Sequence, residues 1–165
     1  MRRYFSNRTY RTVLAFKIQK SDFKNFGKRI VKSPKLYFYD TGLLCYFLGM
    51  KSSQDVINYY QLGAIFENLI IAEQMKITYH TGEKPSLYFY RDSNQLEVDL
   101  LKDTASGIEL TEIKANRTFS VKMLSNMNKV ASLIDRPVNK KLIYGGDQNF
   151  ETKETNITAW FDISP

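Results

Sequence analysis

Residues 96–114, LEVDLLKDTASGIELTEIK, constrain the fold most strongly, because they have the pattern of two strands joined by a tight turn. If the turn is centred on Ala105-Ser106, Asp99 lies directly opposite Glu112 on the neighbouring strand. Opposed residues have Cβ atoms only about 5 Å apart, so two carboxylates there repel each other unless a positive charge stands between them. Lys114, a divalent cation, or both can supply that charge.

Strand alternation sorts the side chains of the first strand into two faces. One face takes Glu97, Asp99 and Leu101, and the other takes Leu96, Val98 and Leu100. On the second strand, one face takes Ile108, Leu110, Glu112 and Lys114. We therefore expect Asp99, Glu112 and Lys114 to lie within reach of one another.

Two carboxylates beside a lysine are suited to metal-assisted cleavage of a phosphodiester bond. Mg²⁺ or Mn²⁺ binds carboxylate oxygens and keeps water molecules, one of which can attack phosphorus. Lys114 would orient the nucleophile and stabilise the charge that develops on phosphate oxygen. The candidate catalytic residues are thus Asp99, Glu112 and Lys114. The alternative is a purely structural ion cluster on a solvated sheet face.

Glu67 is a further candidate, because it lies in a predicted helix where an ionised carboxylate would be poorly solvated. Its neighbours three and four positions away are all small or apolar: Gly63, Ala64, Ile70 and Ile71. We take Glu67, Asp99 and Glu112 as candidate metal ligands. A second E-x-K triplet, residues 151–153, has no acidic strand before it and serves as an internal comparison.

The rest of the chain predicts an α/β (α+β) domain with one central mixed sheet. From residue 61 onward, the periodicity gives helix, strand, strand, strand, helix, strand. The first helix is long and amphipathic, from Ser53 to about Ile77, and the second follows a cap at Ser120. Before them we predict a small β-hairpin and a short, mostly buried helix over residues 42–48.

Basic residues are concentrated at the start of the chain. Residues 1–40 contain eleven Lys or Arg and two acidic residues, a net charge of +9, against +7 for all 165 residues. This segment would suit the neutralisation of nucleic-acid phosphates, or equally a solvated face or the flank of another domain. The candidate nucleic-acid-binding residues are Arg29, Lys32, Lys35, Arg91 and Lys122.

The apolar runs are too short for a membrane span, and the N-terminus lacks the apolar segment of a signal peptide. We therefore expect a cytoplasmic protein without a membrane partner. The single cysteine, Cys45, is expected to be a small buried hydrophobe, and the single histidine, His80, an exposed residue at a helix end.

Five segments of the chain resemble a C-terminal domain of unknown function that follows the ATPase core in prokaryotic AAA-type ATPases. They cover roughly residues 28 to 147 and read KSPKLYFYDTGLLCYFLG, LGAIFENLIIAE, YFYRDSNQLEVDLL, ELTEIKA and KLIYGGD. The resemblance implies the PD-(D/E)xK (restriction-endonuclease-like) nuclease superfamily, whose core order is α-β-β-β-α-β. By the same resemblance, Asp99 is the first acid, Glu112 and Lys114 form the E-x-K motif, and Glu67 completes the Mg²⁺ or Mn²⁺ site.

The chain departs from that pattern at three places. Val98 precedes the acid where the superfamily often has Pro, and Tyr90 stands where the family often has Trp. A G-x-x-x-x-G-K-[ST] sequence is absent, so ATP would not be bound in that way and the ATPase domain would belong to a longer relative.

The sequence thus leaves two functions open. The chain is a nuclease-like C-terminal domain that cleaves or binds DNA with Mg²⁺, or it is an inactive nuclease-fold module used for regulation or protein interaction. We divide it into a basic N-terminal segment, residues 1–52, and a nuclease-like domain, residues 53–165. It resembles the shortened or excised C-terminal part of a larger protein.

Overall fold

The computed structural model describes residues 14–20, 33–82 and 86–163. Within these ranges the chain forms strands, α-helices and one 3₁₀ turn at Val121–Leu124. The strands are β1 (Ala15–Lys20), β2 (Lys35–Phe38), β3 (Leu87–Arg91), β4 (Glu97–Thr104), β5 (Gly107–Lys114), β6 (Val138–Tyr144), β7 (Phe150–Glu151) and β8 (Thr155–Ala159). The helices are α1 (Thr41–Phe47), α2 (Ser53–Ile57), α3 (Leu62–His80) and α4 (Ser125–Ala131).

One mixed sheet connects all the described strands in the order β2-β1-β3-β4-β5-β6-β8-β7. Strands β3, β4 and β5 are antiparallel neighbours, whereas β6 runs parallel to β5 and β8 runs parallel to β6. The series α3-β3-β4-β5-α4-β6 follows the predicted order of helices and strands. The mixed α/β class with a single mixed sheet is therefore confirmed.

The two N-terminal strands extend this sheet. β1 pairs antiparallel with β2, as expected for a hairpin, and also pairs parallel with β3 through Gln19 and Lys20. β2 is consequently an edge strand of the main sheet. The residues between β1 and β2, 21–32, lie outside the described part of the chain.

Two hydrophobic clusters cover the sheet. One contains residues of β1, β2 and α3, and the other contains residues of α4. Adjacent β6 residues Leu142 and Ile143 belong to different clusters, which is what alternation on a two-sided sheet requires. The sheet is therefore buried on both faces around β4, β5 and β6.

The helix predicted from Ser53 to Ile77 is two helices, so that prediction was wrong. The cap residue is Ser52, whose hydroxyl accepts a hydrogen bond from the Asp55 amide at 3.2 Å while the Asp55 carboxylate accepts from the Ser52 amide at 2.9 Å. Asn58 and the two tyrosines after it are weak helix formers, so α2 ends at Ile57.

Helix α1 was predicted correctly in place but not in burial. The carboxylate of Asp40 accepts a hydrogen bond from the Leu43 amide at 3.0 Å, and Gly49 follows the helix with φ of +77°. None of the α1 residues is buried, and Tyr46 and Phe47 are 73% and 59% exposed. The free Cys45 is half-buried.

The second predicted helix also differs at its start. Ser120 makes no side-chain cap, and the chain passes through the 3₁₀ turn Val121–Leu124 before α4 begins. Leu124, Met127 and Val130 are buried on the inner face, whereas Val121 is 72% exposed. His80 is the exposed last residue of α3, as predicted.

Candidate functional site

The β4–β5 hairpin has the predicted register. Its pairs run from Thr104–Gly107 to Leu100–Thr111, with residues 105 and 106 in the turn. β4 begins earlier, at Glu97, and β5 ends later, at Lys114, so both strands continue beyond the last pair. Asp99 and Glu112 come directly after that pair, where the two strands separate.

A β-bulge lies next to Asp99. Tyr88 of β3 pairs with Leu101, but Tyr90 pairs with Val98, so two β4 residues face the single residue between them on β3. As a result Leu100 packs in the α3 cluster, whereas Val98 and Leu101 pack in the α4 cluster. The predicted faces of β4 were therefore wrong, because strict alternation holds only in a regular strand.

Asp99 is held in the gap between the strands. Its Oδ2 accepts a hydrogen bond from the Ile113 amide at 2.8 Å and lies 3.6 Å from Lys114 Nζ. Burial raises the pKa of Asp99 to about 6, and the negative charge of Glu67 adds to this effect. Lys114 and the Ile113 amide act in the opposite direction. With this pKa, Asp99 ionises around pH 6 rather than around 3.8.

Only one of the two carboxylate oxygens of Glu112 has a hydrogen-bond partner in the described part of the chain. Its Oε1 accepts a hydrogen bond from Lys114 Nζ at 2.6 Å. Its Oε2 is buried and makes no hydrogen bond to the described part of the chain. Burial, followed by repulsion from Asp99, raises the pKa of Glu112 to about 7. A buried oxygen of this kind is costly without a partner.

Lys114 stands between these two carboxylates. Burial alone would lower the pKa of its ammonium group, but Asp99 and Glu112 raise it overall, so Lys114 stays charged. About a third of its side chain remains exposed. The residue therefore neutralises the pair and keeps a path to solvent.

Glu67 reaches the site from α3 with two partners that the sequence did not identify for it. Its Oε1 accepts hydrogen bonds from Lys35 Nζ at 2.8 Å and from the Tyr37 hydroxyl at 2.6 Å. Burial raises the pKa of Tyr37, and Glu67 raises it further, so the hydroxyl remains a donor. Lys35 and Tyr37 are two residues apart in β2 and hence lie on the same face of the strand. This spacing was the one signal in the sequence that linked the two partners of Glu67 to each other.

Lys35 also links Glu67 to the hairpin, because it forms an ion pair with Glu97 at the start of β4. Arg91 Nε pairs with the other Glu97 oxygen at 2.8 Å. We call this group of seven side chains the charged cluster: Glu67, Glu97, Asp99, Glu112, Lys35, Arg91 and Lys114. With every group ionised, four carboxylates and three cations leave one negative charge in excess.

The candidate nucleic-acid-binding residues separate into three groups. Lys35 and Arg91 are engaged by carboxylates of the charged cluster. Lys122 is exposed in the 3₁₀ turn. Arg29 and Lys32 lie outside the described residues.

The second E-x-K triplet, residues 151–153, differs from the triplet at residues 112–114 in burial. Glu151 and Lys153 are exposed, whereas Glu112 is buried.

The candidate metal ligands are near one another but not assembled. Among the residues that the structure describes, no three His, Cys, Asp or Glu side chains lie close enough to form a metal site as they stand. Asp99 and Glu112 share Lys114, whereas Glu67 is held by Lys35 and Tyr37. Lys35 and Tyr37 both donate to Glu67 Oε1, so that oxygen could serve in a third ligand only after they release it.

Within the described ranges, no helix has the length and apolar character needed to cross a membrane.

Comparison with known protein families gives matches over two parts of the chain. The family described as "Domain of unknown function (DUF4143)" matches residues 62–161, which begin at the first residue of α3. A second, "Domain of unknown function (DUF8612)", matches residues 10–54.

The curated relatives include uncharacterized proteins of Mycobacterium bovis and Mycobacterium tuberculosis. Each is 28% identical over 138 residues, which is 83% of this chain but 30% of the relative. The chain thus corresponds to less than a third of these proteins. No solved structure matches the chain.

Proposed function

Because the chain belongs to the DUF4143 family, whose function is unknown, we propose a function from the chemistry of the site itself. The proposal is a nuclease-like domain that hydrolyses phosphodiester bonds of DNA with the help of Mg²⁺ or Mn²⁺. One observation carries it: a buried carboxylate oxygen, Glu112 Oε2, has no hydrogen-bond partner among the described residues and lies in a cluster that has one excess negative charge when every group is ionised. A divalent cation would satisfy both conditions.

The donor set fits such an ion. Hard divalent cations prefer carboxylate oxygens and tolerate a site that leaves room for water. Asp99 and Glu112 would hold the metal, with Glu67 as a third ligand once Lys35 and Tyr37 release its Oε1. When bound, the metal would supply a water of lowered pKa and charge stabilisation at the phosphate.

The remaining steps fall to residues of this chain. The Ile113 amide fixes the Asp99 carboxylate through a 2.8 Å hydrogen bond, which limits its orientation. Lys114, two residues after Glu112 and partly exposed, can donate to a phosphate oxygen as negative charge builds there. Burial around Asp99 and Glu112 strengthens each of these electrostatic interactions.

We also propose that the domain has a PD-(D/E)xK nuclease-like fold and is part of a longer protein with an AAA-type ATPase domain. The order α3-β3-β4-β5-α4-β6 and the strand positions of Asp99, Glu112 and Lys114 support a PD-(D/E)xK nuclease-like fold. The curated relatives are more than three times as long as the matched part, which leaves room for an additional domain such as an AAA-type ATPase.

The test is metal binding followed by cleavage. Titration calorimetry with Mn²⁺ should show binding to the wild type that Asp99→Asn and Glu112→Gln abolish. Linear, circular and branched DNA with Mg²⁺ or Mn²⁺ should be cleaved by the wild type, and Lys114→Ala should lower the rate at least a hundredfold, as for other lost transition-state donors. Lys153→Ala in the exposed E-x-K triplet is the matched control and should behave as the wild type. Equal cleavage by all variants would remove the catalytic proposal.

A second function is favoured by a different observation. Each carboxylate of the charged cluster already has a lysine or arginine partner, as a structural ion cluster would. The domain would then be a catalytically inactive module for regulation or protein interaction. In that case Mn²⁺ produces no heat of binding and the wild type cleaves no DNA.

A further inference from the structure

A pocket of about 360 Å³ opens between β2, α1 and α3, beside the charged cluster. Its walls are mainly apolar and include Leu36, Leu44, Leu48, Tyr59, Ala64 and Ile65. Lys35 and Glu67 line the same pocket and also belong to the charged cluster. A molecule in the pocket would therefore lie next to two side chains of the charged cluster.

The pocket has an aromatic and apolar mouth. Tyr59 lines it, and the ring of Tyr60, which is 82% exposed, lies 4.7 Å from that of Tyr59 between centroids. Leu36 and Leu48, also in the lining, are 57% and 42% exposed. The volume falls at the lower end of the range of pockets that bind small molecules.

The charge of the wall selects among occupants. Glu67 and Lys35 contribute one charge of each sign and form an ion pair, so the wall has no net charge to attract a charged group. The wall also offers the amide of Gln61, a hydrogen-bond donor and acceptor, and rings for stacking. A neutral, planar group with an apolar face and a polar edge suits these features, and a nucleobase has this chemistry.

We propose that this pocket receives one unpaired nucleobase of the strand whose phosphodiester lies at Asp99 and Glu112. The inference rests on the proposed function and specifies its substrate class: single-stranded DNA, or DNA with an unstacked nucleotide at the site. A fully paired base inside a duplex cannot enter such a pocket without being extruded.

The test measures binding in EDTA, so that it depends on neither metal nor cleavage. Fluorescence anisotropy should show a single-stranded oligonucleotide bound about tenfold more tightly than the same backbone made abasic at every position, in line with stacking of one base. A matched duplex should resemble the abasic strand. A 2-aminopurine base in the single strand should change its fluorescence on binding.

Two variants assign the effect to the pocket. Ala64→Phe fills the pocket from an exposed helix position, and Tyr59→Ala removes the stacking ring; both should abolish the preference for bases. Gly63→Phe adds the same bulk at the neighbouring residue, which is not part of the lining and has open space, and should leave the preference intact.

The outcomes separate this inference from the proposed function. Equal affinity for the base-containing and abasic strands, or a preference unchanged by Ala64→Phe and Tyr59→Ala, overturns the pocket assignment even if DNA is cleaved. An apolar peptide that blocks the pocket while DNA does not bind also overturns it, in favour of a protein partner. A pocket-dependent preference for bases without cleavage supports the base pocket and removes only the catalytic proposal.

Discussion

Glu112 is a carboxyl group whose ionisation the folded state opposes. Burial and Asp99 raise its pKa from 4.5 to about 7, so the folded protein keeps a proton that the unfolded chain has lost. Its contribution to the free energy of unfolding therefore decreases as pH rises from about 4.5 to 7, and it stays low above that range. Asp99, with a pKa raised to about 6, acts in the same direction.

The decrease in stability with rising pH gives a prediction for Glu112→Gln. Because the amide cannot ionise, we expect the variant to be more stable than the wild type at pH 8, by on the order of 1–3 kcal/mol, and to lose less stability between pH 5 and pH 8. Thermal and urea unfolding across this range, without divalent ions, measure both quantities. Glu151→Gln, at an exposed site, is the control and should follow the wild type. A variant destabilised equally at all pH values would contradict the argument.

At the scale of elements, the turn of the β4–β5 hairpin positions the site. Gly107 has φ of +144°, and a Cβ there would clash with the backbone carbonyl oxygen of Pro137. The next amide, of Ile108, donates to that same carbonyl at 2.9 Å. Gly107 thus fixes the turn, and with it the register that brings Asp99 and Glu112 to the same end of the hairpin.

We therefore expect Gly107→Ala to lower the free energy of unfolding by on the order of 2 kcal/mol or more, from strain at the backbone and the clash with Pro137. Gly63→Ala is the matched control. Gly63 is exposed in α3 with open space around it, so alanine there should stabilise the protein by about 0.5–1 kcal/mol. Chemical denaturation measures both changes, and a neutral Gly107→Ala would contradict this role of the turn.

The hairpin was predictable because its two determinants are local. A two-residue turn fixes the register, and the spacing of Glu112 and Lys114 puts both on one face. The bulge at Asp99 was not predictable, since it depends on pairing with β3. The capping box at Ser52, by contrast, was present in the sequence as a spacing of three residues from Asp55 and would have placed the start of α2.

The partners of Glu67 were hidden for a different reason. Lys35 and Tyr37 precede it by about thirty residues, and only the position of β2 at the sheet edge brings them to α3. Helical periodicity around Glu67 indicated a poorly solvated carboxylate but contained no information on what would solvate it. Contacts between distant segments of this kind depend on the topology, which the local pattern does not determine.

At the scale of the whole molecule, one hydrophobic cluster joins both sides of the predicted division at residue 52. Phe16 and Tyr37 pack in it with Ile70, Ile71 and Met75 of α3. The division into residues 1–52 and 53–165 itself stays a prediction. Because the cluster spans the division, we expect the described part of the chain to unfold in a single cooperative transition.

Phe16→Ala tests this cooperativity. The ring is 7% exposed and lies 4.6 Å from that of Tyr39 between centroids, so its removal should cost about 3–5 kcal/mol. The whole transition should move to lower denaturant, by fluorescence and by circular dichroism alike. Phe47→Ala, at a ring that is 59% exposed, should change stability by about 0.5 kcal/mol or less. Two separate transitions in the wild type would instead support independent parts.

A hydrogen bond in the gap between β4 and β5 makes the site observable by NMR spectroscopy. The Ile113 amide hydrogen bonds to a titratable side chain, at 2.8 Å from Asp99 Oδ2. Its proton resonance in a two-dimensional nitrogen–proton spectrum consequently reports the ionisation of Asp99, and any ligand of that carboxylate, from inside the sheet. A single backbone signal thus gives a spectroscopic view of the site that requires neither substrate nor turnover.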